Sequence, residues 1–132
     1  MKNLLINRKS PLILAVDDET HILHVVRMKL ANAGYQVITA EDGQEALELA
    51  LEHSPDLIIT DYQMPYLTGL ELCLELKKHE QTAATPALML TARGFNLADK
   101  YIGQTNITGV ISKPFSPRQI LARADELIGK QH

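Results

Sequence analysis

The chain has 132 residues, 45% of them hydrophobic and 22% charged, with a net charge of −3. That is about one domain's length with enough apolar content for a packed core, which excludes a disordered chain. No Lys/Arg stripe marks a nucleic-acid face and no apolar run is long enough to cross a bilayer, so neither nucleic acid nor membrane is an expected direct partner.

The opening residues, 1–10, read as an N-terminal extension to a domain over 11–130. They carry basic residues and a brief apolar patch, without the longer apolar core and small-residue cleavage site of a signal peptide. Strand-like runs follow at Leu12–Val16, Gln36–Ala40, Leu57–Thr60, Ala87–Leu90 and Gly109–Ser112. The first, third and fourth are apolar throughout, as strands covered on both faces are. Between the first two, Ile22, Val25, Val26, Lys29, Leu30 and Ala33 keep helical spacing, and Gly34 stands where a helix stops. A second helix over Gln44–Glu52 presents Ala46, Leu47, Ala50 and Leu51 before Ser54-Pro55 breaks it. The third opens with the capping-box spacing Thr68-Gly69-Leu70-Glu71.

The next helix is the weakest. Only about Asn96–Ile102 looks helical, and Gly103–Gly109 is rich in poor helix formers. The last helix opens with Ser116-Pro117-Arg118-Gln119, a capping box with proline at the first helical position, and Gly129 ends it. Strands alternating with helices predict one doubly wound α/β domain with a parallel sheet and right-handed connections. The single cysteine, Cys73, cannot make an internal disulfide, which suits a reducing cytoplasm, and its place in the run Leu70–Leu76 predicts packing rather than reactivity.

Four short stretches carry the chemistry, each just after a strand: Val16-Asp17-Asp18-Glu19, Thr60-Asp61-Tyr62-Gln63-Met64-Pro65, Thr91-Ala92-Arg93 and Lys113-Pro114-Phe115. In an open parallel sheet the C-terminal strand ends meet along one edge, where ligands bind. Three carboxylates, one hydroxyl and one ammonium would meet there. Each stretch has an ordinary alternative: helix caps for Asp17 and Asp18, turn residues for Asp61 and Thr91, and a surface lysine before a turn proline for Lys113. Their joint placement at strand ends favours a site. Clustered carboxylates repel unless a hard cation lies between them, and a hydroxyl and an ammonium suit phosphoryl oxygens.

These stretches, with Gly69 four residues beyond Pro65 and the turn Asp42-Gly43-Gln44-Glu45-Ala46, resemble the receiver domain of two-component response regulators from Leu12 to Ile128. The resemblance implies a flavodoxin-like fold, a five-stranded parallel sheet flanked by five helices. It implies a phosphorylation-activated switch rather than a turnover enzyme, with Asp61 taking the phosphoryl group from a histidine kinase or histidine phosphotransfer protein. Asp17 and Asp18 would hold Mg²⁺ with Asp61 and the backbone carbonyl of Gln63. Thr91 and Lys113 would bind the phosphoryl oxygens, and the Lys113–Pro114 bond would be cis. Gln63 and Arg93 would modulate dephosphorylation. Thr91 would work with position 110 as the switch, but Val110 stands where the family usually has Tyr or Phe, which puts the usual aromatic route in doubt.

Two other functions fit less well. A phosphatase with an aspartyl nucleophile after its first strand needs an acid two residues on and Thr two further, whereas Asp17 is followed at those places by Glu19 and His21. A pseudo-receiver would lack one of Asp18, Asp61, Thr91 and Lys113. His21 and His24, three apart on the first helix, have no further ligand pattern to make a metal site. The output would be a downstream protein, an output domain in a longer chain, or a phosphorylation-dependent homodimer; the sequence reads equally as a stand-alone regulator and as a receiver cut from something longer.

Overall fold

The three strands that read as apolar throughout occupy the middle of the sheet. The computed structural model describes residues 10–92 and 103–129. Strands β1 (Leu12–Val16), β2 (Gln36–Ala40), β3 (Leu57–Asp61), β4 (Ala87–Thr91) and β5 (Ile107–Ser112) pair in parallel in the order β2-β1-β3-β4-β5. Every residue of β1, β3 and β4 is buried, as continuous apolar runs require when both faces are covered. Four helices are described: α1 (Thr20–Asn32), α2 (Gly43–His53), α3 (Gly69–Lys77) and α4 (Pro117–Ile128). The fifth expected helix, at Asn96–Ile102, lies outside the described residues, as does most of the N-terminal extension.

Strand alternation splits the core in two. Leu14, Val16, Ile58 and Met89 pack under Ala46 and Ala50 of α2 and Leu72, Cys73 and Leu76 of α3. Ile13, Ala15, Leu57, Ile59 and Leu88 pack under Leu23, Val26 and Leu30 of α1 and Ile120 and Ala124 of α4. Each fully buried Leu or Ile contributes roughly 1.5–3 kcal/mol, so these two layers supply most of the stability. Burial also lifts the Cys73 thiol to about 12, which keeps it protonated and in its expected packing role.

Both predicted capping boxes form: Thr68 with Glu71, and Ser116 with Gln119. Gly34 and Gly129 take φ of +105° and +87°, the left-handed conformation that ends a helix. The buried face of α1 differs from the expected one. Leu23, Val26 and Leu30 are inside while Val25 is 44% exposed, so the i, i+3, i+7 row of α1 is the one that packs in the layer shared with α4. Thr20 is the first helical residue of α1, and the N-cap position belongs to Glu19. Strand β5 begins at Ile107, two residues before the expected Gly109. The register jumps there: Ala87 pairs with Ile107 and Leu88 with Gly109, leaving Thr108 as a bulge. The extra residue explains why Ile107 and Val110, three apart, both face the α2/α3 layer.

The strand order places β1 between β2 and β3, so the connections leaving β1 and β3 run to opposite faces of the sheet. The crevice opened at such a point is where ligands bind in doubly wound sheets. Asp17 follows the last residue of β1, and Asp61 is the last of β3.

Candidate functional site

The ends of β1, β3, β4 and β5 bring together the residues that the sequence placed at separate strand termini. Carboxylate oxygens of Asp17, Asp18 and Asp61 all lie within 4.8 Å of one another. Asp17 and Asp61 are buried and Asp18 is exposed, so two charges are fixed in the floor and the third faces water. Lys113, just past β5, spans the cluster. Its Nζ lies 3.0 Å from Asp61 Oδ1, 3.4 Å from Asp17 Oδ2 and 3.3 Å from Glu19 Oε1.

Backbone contacts set this convergence. The Lys113 N–H donates to the Thr91 carbonyl at 2.7 Å, and the Tyr62 N–H donates to the Leu90 carbonyl at 2.8 Å, which locks the ends of β3, β4 and β5 side by side. The Glu19 N–H donates to Asp17 Oδ1 at 2.9 Å. The Lys113–Pro114 bond is cis. Gly69, the first residue of α3, donates its N–H to the Tyr62 carbonyl at 2.8 Å, and a Cβ there would lie 2.4 Å from the Asp61 carbonyl oxygen. Only a residue without a side chain allows α3 to start so close to the strand end that carries Asp61.

Burial raises the carboxyls of Asp17 and Asp61 above the usual aspartate range, with the neighbouring acids adding to it at both. Lys113 and, for Asp17, the Glu19 N–H pull the other way without cancelling it. For Lys113, burial alone would depress the ammonium. The hydrogen bond to Asp61 and the fields of Asp17 and Asp61 outweigh it and hold Lys113 charged. The site is thus a concentrated negative charge compensated by one ammonium.

Thr91 is fully buried, and its Oγ1 has no hydrogen-bond partner among the described residues. A buried hydroxyl without a partner costs about 1–3 kcal/mol, which a phosphoryl oxygen would relieve. The donor set also fits a cation. Oxygens within 4.8 Å of one another suit a hard ion with bonds of about 2.0–2.1 Å, whose opposite ligands stand about 4 Å apart. Gln63, two residues beyond Asp61, is exposed at the rim. Arg93 lies outside the described residues. Val110 is half-buried against the α2/α3 layer. Beside the site, a groove of about 530 Å³ is walled by Ile22, Val25, Phe115 and Pro117 and shares Glu19 and Lys113 with it.

Sequence reasoning gave Glu19 no role of its own. In sequence it is one member of an acidic run, and its contact with a lysine 94 residues away depends on how β5 ends, which no local pattern encodes.

Comparison with known proteins agrees with this geometry. Residues 13–125 match the family described as response regulator receiver domain. The chain is 42% identical over 117 residues to the alkaline phosphatase synthesis transcriptional regulatory protein PhoP of Bacillus subtilis, covering 88% of this chain and 48% of PhoP. Thus it spans about half the length of the curated relatives it matches. Among solved structures, chemotaxis response regulator CheY4 of Vibrio cholerae superposes with a TM-score of 0.83 at 36% identity, covering 90% of this chain and 99% of that one. The receiver domain of sensor histidine kinase PA1611 of Pseudomonas aeruginosa superposes with a TM-score of 0.81 at 26% identity, covering 91% and 98%. That structure has a magnesium ion coordinated in its active site cleft.

Proposed function

The chain belongs to the response regulator receiver domain family and is a phosphorylation-dependent signalling switch, and from that premise we propose that Asp61 is its phosphoryl acceptor. The observation that carries the assignment is the Lys113 ammonium 3.0 Å from the buried Asp61 carboxylate, with two further aspartates beside it. In the proposed step an Asp61 oxygen attacks phosphorus. An O–P bond forms as the donor's P–N bond breaks, and the leaving nitrogen keeps the electron pair and takes up a proton. A carboxylate approaching a phosphoryl group meets like charge, which Lys113 lowers by lying against the oxygens on which charge collects. The Thr91 hydroxyl donates to one of those oxygens. Asp17, Asp18, Asp61 and the Gln63 backbone carbonyl would hold Mg²⁺, which supplies further positive charge against the transferring group.

The donor on this reading is a phosphohistidine of a histidine kinase or a histidine phosphotransfer protein, resting against the apolar groove that adjoins Lys113. Gln63 and Arg93 would tune the lifetime of the acyl phosphate, and the chain would reverse its own phosphorylation slowly without acting as a turnover enzyme. The domain would run over 11–130 and work in the cytoplasm. Its output would pass to a downstream protein, an attached domain or a phosphorylation-dependent homodimer. Because Val110 lacks an aromatic ring, the signal from Thr91 would leave through the segment that follows β4 rather than by ring rotation at position 110.

Phosphoramidate, a small donor with a P–N bond, tests the step. Uptake of one phosphoryl group with Mg²⁺ and none in EDTA is the expected result. Equal uptake in both would remove the proposed metal dependence.

A further inference from the structure

Glu19 stands at the N-cap of α1, and its side chain makes no capping hydrogen bond there. Its carboxylate turns away and reaches Lys113, with Oε1 3.3 Å from Nζ. Asp61 Oδ1 at 3.0 Å and Asp17 Oδ2 at 3.4 Å complete the surroundings of the ammonium. An ammonium has three N–H donors, and three carboxylates take all of them.

A phosphoryl oxygen arriving on Asp61 needs one of these partners to let go. Asp17 is only 2% exposed and its other oxygen already accepts the Glu19 N–H, so water has little room to take the place of Lys113 there. Asp61 itself carries the incoming group. Glu19's side chain is 51% exposed, so water can replace the ammonium at small cost. We propose that Glu19 is a positioning residue that holds Lys113 in the unphosphorylated site and yields it to the phosphoryl group; the inference rests on Asp61 being the acceptor. Its backbone stays fixed by the bond to Asp17 while its side chain swings out, so the exchange leaves the metal-facing acids undisturbed.

Initial rates of phosphorylation of the whole chain are measured against acetyl phosphate concentration at saturating Mg²⁺, for wild type, Glu19→Gln and Glu19→Asp. Glu19→Gln removes the charge. Glu19→Asp keeps it but falls one methylene short of Lys113. If Glu19 competes for the ammonium, both variants lower the half-saturating concentration about two- to fivefold, the range that a half-exposed pair commands, while the maximal rate moves less. An effect in Glu19→Gln alone would mean a general field on an anionic donor and would overturn the proposal, as would no effect, or a rise, in both. Absence of phosphoryl transfer to Asp61 in the wild type would remove the premise itself, and it is recognisable before any variant is made.

Discussion

Replacing Gly69 with alanine tests how the fold positions Asp61. The added Cβ would lie 2.4 Å from the Asp61 carbonyl oxygen, 2.9 Å from Met89 Sδ and 3.1 Å from Tyr62 Cα, where ordinary contact begins near 3.4 Å. Two of these three neighbours are backbone, so a full ångström must come from moving the start of α3 away from the end of β3. Overpacking of this kind costs about 1–3 kcal/mol. Weakening the 2.8 Å bond from the Gly69 N–H to the Tyr62 carbonyl adds about 0.5–1.5 kcal/mol. Alanine's better helix propensity returns at most ~1 kcal/mol, and less at a first helical position. The net loss is about 0.5–4.5 kcal/mol, which lowers Tm by roughly 2–16 °C for a chain of this length. Urea unfolding measures it, with Gly103→Ala as control, because a Cβ at 103 meets nothing within 4 Å. The displaced strand end should also slow phosphorylation of Asp61 by acetyl phosphate. A Gly69→Ala protein as stable as Gly103→Ala and phosphorylated at the wild-type rate would refute the argument that this close approach sets the acceptor.

Three other outcomes are expected. Asp18→Ala should cut Mg²⁺-dependent phosphorylation by at least the roughly 10–100-fold that losing even an outer partner of a metal costs, yet melt higher than wild type in EDTA, since one of three clustered charges is gone; calorimetry and initial rates read the two effects, and an unchanged rate would deny Asp18 its metal role. Burial raises the Asp61 carboxyl, so the stability it contributes is complete below its unfolded value of about 3.9 and is lost as pH rises through its higher folded value. Asp61→Asn, which cannot ionise, should therefore be the more stable protein at pH 7 in EDTA, with an advantage that shrinks toward pH 4; a gap independent of pH would contradict the assigned cause. Gln63→Ala should change the half-life of the phosphorylated form without changing the initial rate at which it forms, measured by decay after the donor is removed, and an identical half-life would remove Gln63 from the path of the hydrolysing water.

Much of this molecule is written locally. The uninterrupted apolar runs of β1, β3 and β4 identify the buried centre of the sheet, and Thr68 with Glu71 and Ser116 with Gln119 mark helix starts through contacts only three residues apart. The site was legible for a related reason, since parallel topology forces strand ends to one edge whatever the connections do. What could not be read depends on contacts distant in sequence. Glu19 looks like one more cap or one more acid until the end of β5 brings Lys113 to it. Packing of α1 into the layer it shares with α4 decides that Leu23 and not Val25 is inside. The Thr108 bulge exists because Ile107 and Val110 must share a face, a demand made by the α2/α3 layer and invisible in the run Thr105–Gly109.

On the proposed mechanism one carboxylate, Asp61, takes the phosphoryl group. The protein is phosphorylated with acetyl phosphate and Mg²⁺, the acyl phosphate is reduced with borohydride to homoserine, and the peptides are mapped by mass spectrometry. The expected result is homoserine at position 61 alone, with no incorporation in Asp61→Asn. Homoserine at position 17 or 18, or undiminished incorporation in Asp61→Asn, would contradict the account.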